Sequence, residues 1–191
     1  MQFRYSSGGE HSQALGGAVE ALKPASYVVF DAHLDLRDSY EENPYNHACV
    51  ARRIAELGGV GEAIFGIRSG TREEVTYAEE HGIPPWVHAR DYDFDAFVEL
   101  VKPPLPEPVY LSIDIDAFDL SLVPSTGTPE AGGLGFWEVV EAMEWLVENK
   151  RLVGFDIMEV GGGGELGGDI TALTAAKLLF YFLGAGGAGI L

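Results

Sequence analysis

The stretch YVVFDAHLDLRD, residues 27–38, determines both the fold and the site. Its first four residues are β-branched and aromatic, which is typical of a buried strand. Asp31, His33 and Asp35 then follow at alternate positions. Because residues two apart on a strand point to the same side, the pattern predicts a strand over 27–33 with three potential metal ligands converging at its end. Burying such charges without a partner costs several kcal/mol each, which indicates a bound cation.

Strand and helix patterns alternate along the rest of the chain. Thr71, followed by two acids, predicts a helix start, and Gly82 predicts the end of that helix. Strands that alternate with helices form parallel βαβ units, so we predict an α/β fold, a three-layer α/β/α sandwich with a mainly parallel sheet. Predicted strands after 27–33 cover 62–69, 85–89, 109–116 and 151–160. Predicted helices cover 12–22, 47–59, 71–82, 93–102, 135–150 and 169–183.

Ligands of such folds bind at the carboxyl ends of the strands, where this sequence concentrates acids and imidazoles. The strand ending SIDID supplies Asp114 and Asp116, and the strand ending DIMEV supplies Asp156 and Glu159. His11 lies in the glycine loop GGEHS. Oxygen-rich ligation with two imidazoles suits Mn²⁺ or a similar divalent ion better than a thiolate zinc site would. Each motif alone has a bland explanation, such as a turn or a strand end that caps loop amides.

Composition narrows the class of partner. The chain has 191 residues, a formal net charge of −18 and 47% apolar residues. The acidity argues against nucleic acid or an anionic membrane and favours metals or a cationic small substrate, although it could serve solubility alone. The sequence contains no stretch of about 18 apolar residues, so it predicts no membrane span. The single cysteine, and an N-terminus without the apolar core of a signal peptide, lead us to expect a cytoplasmic protein.

Four blocks of the sequence resemble the ureohydrolases, the arginase and agmatinase superfamily. They are GGEHS, DAHLDLRDSYEENPYNHACVARRI, SIDIDAFDLSLVPSTGTPEAGGL and GFDIMEV, and the resemblance runs from about His11 to the final helix. It implies two Mn²⁺ per chain, bridged by Asp31 and Asp114. One ion would be held by His11, Asp31, Asp35 and Asp114, and the other by Asp31, His33, Asp114 and Asp116.

The resemblance also implies a hydrolytic reaction. In this family a hydroxide bridging the manganese ions attacks a guanidinium carbon, and urea leaves. His47 matches the family's proton-shuttling histidine, with a plain helix-start residue as the alternative. Glu159 matches the carboxylate that holds the guanidinium, because that planar cation accepts bidentate pairing. Asp35 is a catalytic candidate as well as a ligand, and Asp156 is expected to orient a ligand.

Two features make the resemblance agmatinase-like. Ser69 stands where arginases carry an aspartate that recognises an α-amino acid head. The loop after the DAHLD block carries Asp38, Glu41 and Glu42, which are expected to repel a substrate carboxylate and attract a second cationic end. The alternative is that these acids are only solvated loop charges. The expected reaction is the hydrolysis of agmatine to putrescine and urea, at least about tenfold better than that of L-arginine.

The sequence also departs from the family. Relatives usually carry a longer region ahead of GGEHS, so we expect a single ureohydrolase-like domain, 1–191, without the usual N-terminal region. Leu120 stands where proline is usual, and a glycine-rich run over 161–168 replaces an Asn-Pro turn. Two alternatives therefore remain. One is a non-catalytic metal- or partner-binding relative, and the other is a different C–N hydrolase of this fold, such as a formiminoglutamase. The family implies a homo-oligomer, a trimer or hexamer.

Overall fold

The computed structural model describes residues 4–7, 10–83, 86–101, 105–161 and 166–185. Within them, six strands form one sheet: β1 (Arg4–Ser7), β2 (Ser26–Phe30), β3 (Gly61–Ile67), β4 (Trp86–His88), β5 (Val109–Asp114) and β6 (Leu152–Met158). The strands lie in the order β1-β6-β5-β2-β3-β4, and every neighbouring pair is parallel. The carboxyl ends of all these strands therefore meet at one edge of the sheet, as the alternating pattern predicts.

Helices cover both faces of this sheet. Side chains of the first three helices form one buried cluster with Tyr27 and Val29 of β2, and side chains of the last three form a second with Val28 and Phe30. The predicted three-layer α/β/α sandwich is thus confirmed. The helices are α1 (His11–Leu22), α2 (Val50–Leu57), α3 (Arg72–His81), α4 (Phe94–Val101), α5 (Phe136–Asn149) and α6 (Leu166–Leu183).

The central strands are buried on both faces, which explains their continuous apolar composition. Phe30 and Phe65 stack across β2 and β3 with ring centroids 5.4 Å apart, and Phe97 of α4 lies 5.0 Å from Phe65. The predicted start of α3 is confirmed. Thr71 accepts a hydrogen bond from the Glu74 amide, and Glu74 in return accepts one from the Thr71 amide.

The predicted strands extend too far at their carboxyl ends, and two of these ends bear ligand candidates. β2 ends at Phe30 and not at residue 33, and β5 ends at Asp114, after which Asp116 lies in a 3₁₀ turn. In both places a carboxylate accepts a hydrogen bond from the amide two residues on, which turns the chain out of the sheet. The His33 amide donates to Asp31 at 2.6 Å, and the Asp116 amide donates to Asp114 at 3.0 Å. The ligand candidates therefore converge through turns and not through strand alternation.

Some predicted features lie outside the described residues. These are the glycine pair of GGEHS and residues 162–165 of the glycine-rich run. In the part of the chain that is described, no helix has both the length and the apolar character that crossing a membrane requires.

Candidate metal centre

Six predicted ligands converge beyond the carboxyl ends of β2 and β5. One group that could hold an ion contains His11, Asp31 and Asp114, and a second contains Asp31, His33 and Asp116. In each group the candidate ligand atoms lie within 4.8 Å of one another. Asp31 belongs to both groups, so two adjacent cation positions would share it. We call the six side chains the acid–imidazole cluster: His11, Asp31, His33, Asp35, Asp114 and Asp116.

One ring nitrogen of His11 faces three carboxylates. Its Nδ1 lies 3.1 Å from Asp114 Oδ2, 3.6 Å from Asp31 Oδ2 and 3.7 Å from Asp35 Oδ2. That nitrogen is buried, yet it has no hydrogen-bond partner. A buried polar atom of this kind is costly unless something else satisfies it. A divalent cation among the nitrogen and the oxygens would do so, and the mixed oxygen and imidazole donors suit such an ion.

His33 closes the other half of the cluster. Its Nδ1 lies 3.1 Å from Asp116 Oδ2 and 3.5 Å from Asp31 Oδ1. Burial by itself lowers the pKa of His33, but hydrogen bonds and charges of Asp116 and Asp31 outweigh burial and raise that pKa to about 11. For Asp116 the directions are reversed. Burial by itself raises the pKa of Asp116, but its hydrogen bond to His33 and the charge of His33 outweigh burial and bring that pKa below its usual value.

The remaining carboxyls of the cluster resist ionisation. Burial raises the pKa of Asp31, Asp35 and Asp114, and the charges of neighbouring aspartates raise each of them further. Without a cation, such a group of acids lowers its energy by keeping protons. Cations bound among these oxygens would remove the cause of the shift, since they supply the missing positive charge.

Ser112, Asp156 and Tyr110 are hydrogen-bonded in series behind His11, and we call them the polar chain. Sequence analysis named only Asp156 among them. The Ser112 hydroxyl lies 2.9 Å from His11 Nε2 and donates a 2.6 Å hydrogen bond to Asp156 Oδ1. The Tyr110 hydroxyl donates to Asp156 Oδ2 at 2.7 Å. Burial raises the pKa of Asp156, and the hydrogen bonds from the two hydroxyl donors oppose that rise. Alternation along β5 could have revealed Tyr110 and Ser112, because both share a face with Asp114.

A cavity of about 150 Å³ opens beside the cluster. Its wall includes the predicted residues His47 and Glu159 together with cluster members, and it also includes Ser69. Sequence analysis assigned no role in this cavity to four other wall residues, all with polar or charged side chains. These are Arg37, Tyr40, Glu74 and Thr128.

Two contacts hold the predicted catalytic side chains. Glu10 Oε1 accepts the His47 amide at 3.2 Å and lies 3.3 Å from His47 Nδ1. Glu159 has a left-handed backbone, with φ of 57°, and its Oε1 accepts the His11 amide at 2.6 Å. Both side chains line the cavity. Glu10, the residue before α1, holds His47, and the amide of His11, the first residue of α1, holds Glu159.

The predicted acidic mouth has a different arrangement. Asp38 Oδ1 lies 3.2 Å from the Arg53 guanidinium and 3.6 Å from that of Arg52, both on α2. Glu41 and Glu42 are exposed, and the described wall of the cavity includes none of the three acids. Their predicted attraction for a cationic substrate end therefore has no support in these contacts.

Arg68 clamps the loop that carries Thr128. Its half-buried guanidinium donates at 2.6 Å to the Asp116 carbonyl and at 2.8 Å to that of Glu130. Thr128 in turn donates to Asp116 Oδ2 at 3.1 Å. The same guanidinium reaches further backbone carbonyls, those of Gly66, Ala117, Phe118 and Ala131.

Close packing requires glycine at position 161, the first residue of the glycine-rich run. The Gly161 amide donates to the Ser125 carbonyl at 3.1 Å. A Cβ at position 161 would lie 2.4 Å from that carbonyl oxygen, which no side chain tolerates. Glycine here lets the segment after Glu159 pack closely against the loop that contains Ser125.

Known proteins are similar to this chain in sequence and in fold. The profile of the arginase family matches residues 3–184. The N(1)-aminopropylagmatine ureohydrolase of Thermococcus kodakarensis is 80% identical over 178 residues, which are 93% of this chain and 60% of that protein. The agmatinase of Pyrococcus horikoshii is 67% identical over 177 residues, again 93% and 60%.

Solved structures agree with these sequence matches. The agmatine ureohydrolase of Thermoplasma volcanium superposes with a TM-score of 0.84 at 37% identity, covering 97% of this chain and 62% of that chain. The chain thus spans about 60% of the length of the curated relatives it matches.

Proposed function

The chain belongs to the arginase family, and from that premise we propose that it hydrolyses the guanidinium group of an ω-guanidino amine to urea and the free amine. The single observation that carries the proposal is the acid–imidazole cluster beside a small cavity. The cluster has the donors for two cations, and the cavity wall bears Glu159 and His47. The resemblance of the four motif blocks to ureohydrolases agrees with this family membership.

The metals of the proposal are two Mn²⁺. One would be held by the side of the cluster that contains His11 and the other by the side that contains His33, with Asp31 and Asp114 between them. The unpartnered Nδ1 of His11 and the oxygen-rich donor set support the fit. When bound, such a metal pair supplies Lewis acidity that makes water a nucleophile near neutral pH. Asp35, which lines the cavity, is proposed both to bind metal and to orient that water.

Glu159 is proposed to hold the substrate guanidinium. Its Oε1 already accepts the His11 amide but retains a second lone pair, so Oε1 and Oε2 together can accept two N–H groups of the substrate. A guanidinium paired with a carboxylate in this way is fixed in plane and direction. The carbon to be attacked would then lie beside the cluster, because the same glutamate is tied to the residue that begins α1.

His47 is proposed to deliver the proton that the leaving amine needs. Its Nδ1 faces Glu10, so its Nε2 is the nitrogen free to face the substrate. A carboxylate behind an imidazole holds the ring in one orientation. Tyr40 packs beside the ring, with centroids 5.7 Å apart, and limits its rotation.

The substrate class follows from the cavity wall and the relatives. Ser69, a neutral side chain, lines the cavity where recognition of an amino acid head would need a charge. The relatives that match over most of this chain are named for agmatine or N(1)-aminopropylagmatine. Both compounds carry a guanidinium at one end and no α-carboxylate. We therefore propose this class and not L-arginine.

The decisive experiment is urea release by the manganese-loaded chain from three compounds at equal metal loading: agmatine, N(1)-aminopropylagmatine and L-arginine. We expect at least one of the two amines to exceed L-arginine by about tenfold or more in kcat/KM, the effect of roughly 1.4 kcal/mol. A preference for L-arginine would overturn the substrate class. No urea from any guanidine at saturating manganese would favour a non-catalytic metal-binding relative instead.

A further inference from the structure

The polar chain behind His11 has only one consistent direction of hydrogen bonding. Asp156 receives two hydroxyl donors, one on each carboxylate oxygen, from Ser112 and Tyr110. Ser112 and Asp156 are each 0% exposed, so no solvent replaces these partners. A serine hydroxyl has a single proton, and Ser112 donates it to Asp156. Its oxygen can therefore only accept from His11 Nε2, at 2.9 Å.

This direction fixes the proton of His11. A neutral imidazole carries one N–H, and here Nε2 must carry it. Tyr27 also approaches Nε2, but at 3.4 Å it is the more distant partner, so Ser112 decides the tautomer. Nδ1 is left with a lone pair, which is the atom that faces the carboxylates of Asp31, Asp35 and Asp114 without a hydrogen bond. The opposite tautomer would aim an N–H at the cation position.

We propose that Tyr110 and Asp156 are positioning residues that hold His11 in its Nε2–H tautomer through Ser112 and thereby set the affinity of one of two metal positions. The proposal rests on the proposed function for the identity of the metal. It adds Tyr110 to the site, although that hydroxyl touches no ligand candidate.

The packing around Tyr110 is built for this contact. Gly154 is its neighbour on β6, and a Cβ there would lie 2.3 Å from the Tyr110 ring. Glycine at 154 therefore leaves the room that the ring occupies on its way to Asp156. The ring and its hydroxyl are buried, since Tyr110 is 2% exposed.

The second histidine of the cluster lacks such support. His33 also turns Nδ1 towards the carboxylates, but its Nε2 faces Glu130 at 3.8 Å, beyond hydrogen-bond distance. The Glu130 side chain is 38% exposed. A carboxylate can therefore be changed to the isosteric amide behind each histidine. The change at Asp156 alters a buried series of hydrogen bonds, whereas the change at Glu130 alters an exposed, longer contact.

The test compares Asp156→Asn with Glu130→Gln. An amide offers an N–H as well as a C=O, so Ser112 is no longer compelled to donate towards residue 156. We expect Asp156→Asn to weaken binding of one Mn²⁺ by about 10- to 100-fold, the usual effect of changing a partner behind a metal ligand. Glu130→Gln should change both dissociation constants by less than about threefold. Equilibrium dialysis with metal analysis gives the constants, and electron paramagnetic resonance distinguishes a coupled manganese pair from a single ion.

A second pair of variants separates positioning from general destabilisation. Tyr110→Phe removes one hydroxyl and should weaken the same single ion by a smaller, several-fold factor. Tyr92→Phe removes a half-buried hydroxyl on the other side of the sheet and should change neither ion. The proposal is overturned if Asp156→Asn keeps both wild-type constants, or if it weakens both ions equally in step with a lower melting temperature of the metal-free chain. Absence of urea release by a wild-type chain with two bound ions would instead count against the proposed function alone.

Discussion

The two ends of one sheet bury carboxyl groups in contrasting ways. At the carboxyl end, Asp31 and Asp114 lie among other acids and two imidazoles, and each also accepts a backbone amide. At the amino end, Glu62 of β3 is 6% exposed, and neither of its oxygens has a hydrogen-bond partner. Burial alone raises the pKa of Glu62 to about 8.

The difference shows two ways in which a fold tolerates a buried acid. A solitary carboxyl keeps its proton, so it is a neutral polar group near neutral pH. A group of carboxyls that also holds the backbone cannot move apart, so its mutual repulsion is relieved either by protons or by bound cations. Only the second arrangement creates a binding site. The proposed site is therefore at the carboxyl end, although both ends contain perturbed acids.

The largest expected effect is at the carboxyl end. Replacing Asp114→Asn should abolish binding of both Mn²⁺ and with it urea release, because Asp114 is proposed to lie between the two ions. Its amide would still accept the Asp116 N–H, so the turn after β5 should survive. Metal analysis after dialysis against manganese gives the number of ions per chain.

The matched control is the same kind of change at the amino end. Glu62→Gln should bind two ions with wild-type affinity, since its carboxyl lies at the opposite edge of the sheet. If Asp114→Asn keeps one ion, the proposed shared position is wrong, and if Glu62→Gln loses an ion, the contrast between the two ends fails.

The next effect concerns stability and pH. Below its ordinary pKa of 4.5, Glu62 is protonated in the folded and unfolded chain alike. Between 4.5 and about 8 the unfolded chain releases the proton and the folded chain keeps it, so stability falls as pH rises. Above about 8 the loss is complete, at up to roughly 5 kcal/mol from about 1.4 kcal/mol per pH unit.

Glu62→Gln has no such proton and should lose less stability than the wild type between about pH 5 and about pH 9. Urea unfolding of the metal-free chains at both pH values measures the difference, and comparison with wild type cancels the titration of the acid–imidazole cluster. Glu80→Gln, an exposed glutamate of α3, is the control and should follow the wild-type curve. Parallel curves for Glu62→Gln and wild type would mean that Glu62 has a partner in solution.

A third effect compares two histidines. His47 lines the cavity at the carboxyl end, whereas His81 is the last residue of α3 and stacks on Tyr77 with centroids 3.9 Å apart. His81 is not part of the described wall of that cavity. His47→Ala should lower turnover by roughly 10²-fold, the usual scale for general acid–base catalysis, with unchanged metal content. His81→Ala should leave turnover within about twofold. Loss of metal from His47→Ala would make His47 a ligand and not a proton donor.

Much of this contrast could be predicted from the sequence. The alternation of strands and helices predicts the three layers, and acids after two neighbouring strands predict the cluster. The carboxyl-end position follows from parallel topology alone. The ends of β2 and β5 were mispredicted because Asp31 and Asp114 turn the chain with their own side chains, a local hydrogen bond that periodicity does not show.

Other parts depend on tertiary contacts. Glu62 occupies an apolar face of β3, and nothing in EAIFGIRS distinguishes a solitary buried acid from a solvated strand end. Arg68 stands in the same strand pattern, but its role depends on carbonyls of a loop some fifty to sixty residues away. Asp38 illustrates the converse error, in which an acid near the cluster in sequence pairs elsewhere in space.

The smallest expected effect is therefore at Asp38, an acid outside both buried ends. Its carboxylate is 66% exposed and faces Arg52 and Arg53, and such surface pairs contribute roughly 0–1 kcal/mol. Asp38→Asn should leave kcat/KM for agmatine within about twofold and metal content unchanged, because the charge is already shared with two guanidinium groups of α2. Steady-state urea release by the variant and wild type at matched manganese loading measures this. A tenfold loss of kcat/KM with an unchanged kcat would show that Asp38 acts on the cationic end of the substrate, as the loop sequence by itself suggests.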